Sequence, residues 1–336
     1  MSARRAPGAA RVLLAPDSFK GTFGATEVAE LLAGPLRERG LEVDSCPLTD
    51  GGEGTLEVLL RALGGERVGV DAHDALGRPV EAAIGLAPDR RVAIVETAAA
   101  IGLARIDPAE RDPVAATSAG AGELIVAAAR RARWVLVGIG GSATNDGGIG
   151  ALEAIAAAGG TGDARLVCLC DVRTSWERAS ELYGPQKGAD PETVELLAAR
   201  LDDAAGGLAR DPRGVAMTGA AGGLSGGLWA ELGARLVPGA RFVCGLVGFD
   251  ARARRAAAVI TGEGRLDATT LEGKVVSEVT LRCRRLGVAI HAVVGEDAAD
   301  RGARARLGLA SVAEAGDPAA IAAAAAALAG RLPAEV

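Results

Sequence analysis

At both ends of the chain, hydrophobic and polar positions alternate between strand-like runs and helical spacing. Residues 12–15 (VLLA) form a continuous apolar run typical of a buried parallel strand, and Val28, Leu31, Leu32 and Leu36 then recur at helical spacing. Residues 41–48, 257–260 and 288–294 predict further strands, and residues 56–63 and 275–281 predict helices. This alternation predicts an α/β fold with a doubly wound, Rossmann-like parallel sheet.

The middle of the chain has a different pattern. Residues 67–70, 80–86 and 92–95 predict strands joined by short turns without helices, which is typical of a mixed sheet. We therefore expect two α/β domains, with residues 1–65 and 256–336 forming the Rossmann-like domain and residues 66–255 inserted as a mixed-sheet domain. The functional site is expected in the cleft between them.

A glycine-rich loop at residues 138–148 (GIGGSATNDGG) joins a predicted strand to a predicted helix. The loop has few Cβ atoms, and helix-start N–H groups favour anions, so we expect a phosphate or carboxylate site rather than a plain βα connection. It lacks the lysine of a Walker A loop, and its spacing is not that of the dinucleotide fingerprint. A second glycine-rich loop at residues 219–227 is predicted to enter a helix carrying Leu228, Leu232 and Leu236.

Composition excludes several classes of function. The net charge is -6 and aromatic residues make up 2%, which argues against a nucleic-acid partner. Five cysteines, an odd number, argue against a disulfide framework and favour the cytoplasm. The longest apolar stretch, residues 319–329, is too short to span a membrane.

Rare residue types fall beside glycines. The chain has three lysines, one asparagine and one glutamine: Lys20, Lys187, Lys274, Asn145 and Gln186. Six acids also follow predicted strands or lie in glycine-rich loops: Asp17, Asp50, Asp146, Asp171, Glu263 and Asp267. One such carboxylate is ordinarily a helix N-cap. Six of them, with three lysines and Arg265, favour phosphoryl transfer assisted by a divalent metal.

Two other enzyme classes fit poorly. Residues 223–227 (GLSGG) match a hydrolase nucleophile elbow, with Asp267 and His291 following in hydrolase order. However, no predicted strand precedes Ser225, and His291 lies inside an apolar strand, where a core histidine is expected. A nicotinamide dehydrogenase would need the missing fingerprint.

Six blocks occur in order over nearly the whole chain: residues 15–21 (APDSFKG), 49–55 (TDGGEGT), 140–148 (GGSATNDGG), 184–189 (GPQKGA), 219–224 (GAAGGL) and 261–267 (TGEGRLD). Together they resemble the bacterial glycerate kinase family of the D-glycerate 2-kinase type. The resemblance implies phosphorylation of D-glycerate to 2-phosphoglycerate with ATP and Mg²⁺. A glycerate kinase giving 3-phosphoglycerate, or a non-catalytic binding protein for sugar phosphates or hydroxy acids, remains an alternative. The oligomeric state stays open, with a homodimer as one option.

The blocks and the strand-end acids together give the expected site. Catalytic roles are expected for Lys20, Asp50, Asp171, Lys187, Arg265 and Asp267. Substrate or ATP binding is expected for Asp17, Ser18, Glu53, Gly140, Gly141, Ser142, Thr144, Asn145, Asp146, Gln186, Gly222, Gly223, Glu263 and Lys274. Asp267 and Glu263 are the expected metal ligands, and Asp50 or Asp171 is expected near the acceptor hydroxyl. Residues 173–177 (RTSWE) depart from the family's usual Asx-Asn-Pro-Leu, so this segment bears either on substrate choice or on its own fold.

Overall fold

The computed structural model describes residues 10–332, apart from the side chain of Glu272, and divides into two compact units. Unit 1 contains the described residues up to Thr49 and from Ala240 onward, and unit 2 runs from Asp50 to Gly239. Each unit has its own sheet, one parallel and one mixed. The predicted α/β fold class is confirmed.

Thirteen strands occur in the described residues: β1 Arg11–Pro16, β2 Glu42–Ser45, β3 Glu66–His73, β4 Pro79–Leu86, β5 Val92–Glu96, β6 Trp134–Gly138, β7 Arg165–Cys170, β8 Arg235–Pro238, β9 Ala258–Gly262, β10 Arg265–Leu266, β11 Ala289–Val294, β12 Glu296–Asp297 and β13 Ser311–Glu314.

Thirteen α-helices occur in the same described range: α1 Ala25–Glu38, α2 Thr55–Leu63, α3 Ala98–Ile101, α4 Ala119–Ala129, α5 Ile149–Ala157, α6 Ala179–Tyr183, α7 Pro191–Gly207, α8 Leu224–Leu232, α9 Gly239–Leu246, α10 Phe249–Ala253, α11 Val275–Leu286, α12 Arg301–Leu307 and α13 Pro318–Ala329. None of the helices in residues 10–332 is long and apolar enough to cross a membrane.

Unit 1 is built on a five-stranded parallel sheet with the order β13-β11-β9-β1-β2. Alternate strand residues point to opposite faces, so each face needs its own helical cover. Val12, Leu14 and Val293 pack with residues of α1 and α13, whereas Ala292 and Val294 pack with residues of α11 and α12. The carboxyl ends of β1 and β9 lie side by side, because Ala15 pairs with Thr261.

Unit 2 contains a six-stranded sheet with the order β3-β4-β5-β6-β7-β8. β3, β4 and β5 are antiparallel neighbours, whereas β5 to β8 run parallel, as expected of a mixed sheet. One large core joins the sheet to α4, α5 and α8. Because β6 and β7 are parallel neighbours, their carboxyl ends at Gly138 and Cys170 open on the same edge of the sheet.

The unit boundaries differ from the sequence prediction, which placed them after residues 65 and 255. Helix α2 belongs to unit 2, because Leu56 and Leu60 lie against Gly85 of β4 and the Leu56 N–H donates to the Glu96 carboxylate at 2.9 Å. Helix α10 and all of α9 after its first residue belong to unit 1. The Glu96 contact links residues forty positions apart in the chain, and hydrophobic spacing does not report such pairs.

One predicted helix was wrong in its extent. Leu236 was expected in the helix after the second glycine-rich loop, but that helix ends at Leu232 and Leu236 lies in β8. Gly233 follows the last turn with φ of 65°, a left-handed conformation that terminates helices. The helix also begins at Leu224, so Ser225 lies within it.

Candidate functional site

The first glycine-rich loop begins at the end of β6 and leads into α5. Gly140 is needed because of close approach: a Cβ atom there would lie 2.7 Å from the Cα of Gly52 and 3.0 Å from Oδ2 of Asp171. A Cβ atom on Gly141 would lie 3.2 Å from Oε1 of Glu53. The loop therefore brings together residues predicted from three separate strand ends, with Asp171 and Glu53 against its glycines.

Lys187 is buried beside this loop. Its side chain is 3% exposed, and its ammonium donates to the carbonyl of Thr144 at 2.6 Å and to Oγ of Ser142 at 3.4 Å. Burial lowers the pKa of Lys187 from 10.5 to about 8, although the negative charges of Asp146 and Asp171 oppose the shift. An ammonium with a pKa of about 8 is mostly, but not fully, protonated at neutral pH. A bound anion would favour its charged form.

Asn145 lies in the same loop with an unsatisfied side chain. The residue is 1% exposed, yet neither its Oδ1 nor its Nδ2 has a hydrogen-bond partner within residues 10–332. Oγ1 of Thr144 is also buried without a partner there. Each unsatisfied buried polar group costs about 1–3 kcal/mol. Because the Lys187 ammonium donates to the carbonyl of Thr144, this stretch of the loop combines a cation with buried polar atoms that are suited to bind an anionic or hydroxylated ligand.

The neighbouring carboxylates have visible structural contacts. Oδ2 of Asp146 accepts from the N–H and hydroxyl of Ser118 at 2.7 and 2.8 Å, and from the N–H of Gly150 at 3.2 Å. Its Oδ1 accepts from the N–H of Gly148 at 3.0 Å. Asp146 therefore fixes the start of α5 and acts on Lys187 through its charge. Asp50 is buried and accepts from the N–H of Gly52 at 3.0 Å, which shapes the turn facing the glycine loop.

The second glycine-rich loop supports the first. Gly222 accepts a hydrogen bond from the N–H of Gly147 at 3.0 Å, and a Cβ atom on Gly222 would lie 2.0 Å from the carbonyl oxygen of Thr144. Gly223 packs in the same way, because a Cβ atom there would lie 2.8 Å from the Cα of Gly147. These two predicted binding residues thus hold the backbone that carries Asn145.

The Lys187 turn has a support that the sequence did not indicate. Arg111 donates from Nη1 to the carbonyl of Gln186 at 3.3 Å, and its Cβ lies 3.3 Å from the position of a Cβ atom on Gly188. Gln186 is exposed, and the group that accepts from Arg111 is its backbone carbonyl, not its side chain. Arginine is common in this chain and Arg111 lies in no recognisable motif, so the sequence did not indicate its role.

Unit 1 brings together a second group of predicted residues, at the ends of β1 and β9. The N–H of Asp17 donates to the carbonyl of Gly262 at 2.8 Å, and Asp17 in turn accepts from the N–H of Ser18 at 2.7 Å. A Cβ atom on Gly264 would lie 3.2 Å from the backbone nitrogen of Lys20. The loop after β1 therefore lies directly against the loop after β9.

The remaining unit 1 residues form a network around a short 3-10 turn. Oε1 of Glu263 accepts from Thr270 at 2.6 Å, and Oδ1 of Asp267 accepts from the N–H and hydroxyl of Thr269 at 2.8 and 2.7 Å. Lys274 donates to the Thr269 hydroxyl at 2.8 Å. Although burial alone would raise the pKa of Asp267, these Thr269 hydrogen bonds and the charges of Lys274 and Arg265 lower it.

Metal ligation was predicted for Glu263 and Asp267. No group of three or more His, Cys, Asp or Glu side chains in the described part of the chain is arranged to hold a metal ion. Mg²⁺ bound with a nucleotide commonly takes only one or two protein carboxylates, the rest being phosphate and water. Two oxygen-donor carboxylates on one loop fit that pattern. Oδ2 of Asp267 lies 3.5 Å from Nε of Arg265.

The hydrolase alternative is excluded by geometry. The Ser225 hydroxyl lies in α8 and donates to the carbonyls of Met217 and Ala220 at 2.6 and 3.2 Å, so it is a structural hydroxyl. His291 hydrogen-bonds Oγ of Ser311 at 2.8 Å within unit 1.

Comparison with known proteins gives the family. The model of the "Glycerate kinase family" matches residues 12–163 and 158–332. The chain is an enzyme of the glycerate kinase family. A glycerate kinase from Halalkalibacterium halodurans is 34% identical over 322 residues, covering 84% of this chain and 85% of that protein. A glycerate 2-kinase from Escherichia coli K12 is 34% identical over 303 residues, covering 79% of this chain and 80% of that protein.

The fold agrees with this assignment. A crystal structure described as a glycerate kinase 2 from Salmonella typhimurium LT2 superposes with a TM-score of 0.79 at 33% sequence identity. The match covers 96% of this glycerate kinase family chain and 98% of that one. The expected family is therefore confirmed, and the residue-by-residue site assignments stay predictions.

Proposed function

We propose that the protein transfers the γ-phosphoryl group of ATP to the 2-hydroxyl of D-glycerate, giving 2-phosphoglycerate, in the cytoplasm. Family membership supports the reaction class, and the name of the Escherichia coli relative, glycerate 2-kinase, supports the 2-hydroxyl. The five cysteines are buried and free, which supports a reducing compartment.

The observation that carries the proposal is the pair Lys187 and Asn145. The buried ammonium of Lys187 lies against the Thr144 carbonyl, and the buried amide of Asn145 has no hydrogen-bond partner within residues 10–332, so the two would form a subsite for anionic oxygens. Reactants and product of a glycerate kinase all carry such oxygens, as carboxylate or phosphate. In a water-excluded site, fixed donors stabilise charge that develops in the transition state without reorganising. Lys187 is proposed to hold a negative oxygen there, and Asn145 to orient it.

Roles for the unit 1 residues are proposed from their chemistry. Glu263 and Asp267 would hold Mg²⁺ bound with ATP, and Lys20, Lys274 and Arg265 would contact phosphate oxygens. Bound Mg²⁺ would neutralise charge on the transferred phosphoryl group. Asp50 or Asp171 remains the proposed carboxylate near the acceptor hydroxyl, since Asp171 lies against Gly140 in the loop that carries Asn145.

Phosphorus NMR of the product tests the function. The purified protein is incubated with ATP, Mg²⁺ and D-glycerate, and proton coupling of the new phosphate ester is recorded. A phosphate on the 2-hydroxyl couples to one carbon-bound proton and gives a doublet, which is the expected result. A triplet would show transfer to the 3-hydroxyl, and absence of any new ester would favour a non-catalytic binding protein.

Asn145 gives a prediction for the subsite. Asn145→Ala is expected to lower kcat/KM at least tenfold, because a lost hydrogen bond to a charged group costs about 1.5–3 kcal/mol. Its melting temperature should not fall, since the native amide makes no hydrogen bond within residues 10–332. Steady-state kinetics and thermal melts are the measurements.

Thr26→Val is the matched control for Asn145. Oγ1 of Thr26 is also buried without a partner in the described residues, but it lies in α1, far along the chain from the glycine loop. The control should retain wild-type kinetics. Unchanged kinetics in Asn145→Ala as well would reduce the loop to a structural turn.

A further inference from the structure

Unit 2 carries a groove of about 820 Å³ whose charged lining is five arginines and one acid: Arg90, Arg130, Arg131, Arg133, Arg165 and Asp163. This arginine groove lies at the amino-terminal ends of β6 and β7, where Trp134 and Arg165 begin the two strands. The glycine-rich loop and Asp171 follow the opposite, carboxyl ends of the same strands. The groove is therefore separate from the Lys187 subsite.

Three of the arginines have structural contacts. Arg90 pairs with Glu66 at 2.9 Å, Arg130 donates to the carbonyl of Ala158 at 3.2 Å, and Arg131 donates to the carbonyl of Ala127 at 2.7 Å. The last two satisfy carbonyls at the ends of α5 and α4, where positive charge is favoured. These contacts explain Arg130 and Arg131 without a ligand.

Arg133 and Arg165 are exposed and lack such contacts. Neither makes a hydrogen bond from its guanidinium or an ion pair within residues 10–332, and Arg165 instead lies over the ring of Trp134, 5.3 Å from its centroid. The chain as a whole carries a net charge of -6, so a groove with five arginines and one acid is a local reversal of charge. Mutual repulsion among these guanidinium groups would be relieved by an anion.

The chemistry of the ligand follows from the lining. Guanidinium groups present paired donors that match the oxygens of phosphate, and they bind phosphate better than single carboxylates because of its higher charge. A groove of about 820 Å³ is large enough to admit a small phosphorylated molecule. We propose that the arginine groove binds a small phosphorylated anion carrying two or more phosphate charges, through Arg133 and Arg165. This inference is independent of the proposed function.

Inorganic pyrophosphate is the probe, and Trp134 is the reporter. A ligand on Arg165 would disturb its contact with the Trp134 ring, so titration of the full-length protein at low salt should change tryptophan fluorescence saturably. The change should be absent in Trp134→Phe, which assigns the signal to the groove. A wild-type titration without a saturable change overturns the proposal.

The variants give a charge-matched comparison. Arg133→Glu/Arg165→Glu should weaken pyrophosphate affinity at least tenfold when binding is measured by isothermal titration calorimetry, which does not depend on the Arg165–Trp134 contact, with a thermal melt showing that the variant is folded. Arg285→Glu/Arg301→Glu makes the same change in net charge at exposed arginines of unit 1 and should stay within twofold of wild type. Equal losses in both double variants would show non-specific charge attraction, and no loss in either would exclude the groove. Either result overturns the proposal.

Discussion

Lys187→Met is expected to lower kcat/KM at least a hundredfold while leaving the melting temperature unchanged or raised. Methionine fills a similar volume without charge, so the loss reports the ammonium rather than packing. Removing one preorganised donor from a water-excluded site typically costs about 10²–10³ in rate. Removing the buried charge favours the folded state, since burial lowers the pKa of Lys187 to about 8, and this gain offsets the lost hydrogen bond to the Thr144 carbonyl.

The pH profile gives the same prediction an independent readout. Lys187 must be protonated to hold an anionic oxygen, and its pKa is lowered by burial to about 8. The protonated fraction therefore falls as pH rises through 8, so wild-type kcat/KM should decline on the alkaline side with an apparent pKa near that value. Since a bound anion favours the charged form, the decline in kcat should occur at higher pH.

Lys187→Met should lack this alkaline decline, and Lys187→Arg should also lose it because arginine stays charged. The arginine variant is expected to remain at least tenfold slower, since its wider head does not fit a site shaped around an ammonium donating to Thr144 at 2.6 Å. Wild-type kinetics in both variants would assign Lys187 a purely structural role. Lys20→Arg and Lys274→Arg test the two predicted lysines of unit 1 by the same kinetic comparison with wild type.

Sequence periodicity predicted most of the fold because burial on one or both faces leaves a repeat of hydrophobic positions. β1, β9 and β11 are buried strands in the parallel sheet, and their continuous apolar runs are visible in the sequence. β8 was missed because it has only four residues, and its Leu236 continues the four-residue spacing of Leu228 and Leu232 in the preceding helix. The compact units divide at a different residue from the predicted domains, because α2 is fixed by contacts to distant strands.

The candidate site was partly predictable. The two glycine-rich loops indicated where backbone segments approach closely, and the Cβ distances at Gly140 and Gly222 agree with that interpretation. The chain's single asparagine was also a useful signal, since Asn145 is the residue with an unsatisfied buried amide. Sequence could not separate Asp146, whose oxygens accept backbone and Ser118 hydrogen bonds, from acids available to a ligand. That distinction depends on three-dimensional partners.

Trp176 belongs to the segment that departs from the family pattern, and its contacts favour a role of this segment in the fold. The residue is fully buried, and its Nε1 donates to the carbonyl of Leu201 at 2.8 Å. Cβ atoms on Gly147 and Gly226 would lie 2.6 and 2.5 Å from its ring. The indole thus packs directly against the first glycine-rich loop and the helix after the second.

Trp176→Ala is expected to lower the free energy of unfolding by about 3–5 kcal/mol, because it leaves a large cavity and an unpaired Leu201 carbonyl. Trp176→Phe keeps most of the bulk and should cost less. Trp229→Ala is the control, since that ring is only partly buried beneath Arg210 and should cost about 1 kcal/mol. Urea unfolding of the full chain, followed by circular dichroism, measures all three. If Trp176→Ala were as stable as the control while its KM for glycerate rose, the segment would act on substrate choice instead, because the packing against Gly147 would then be dispensable for folding.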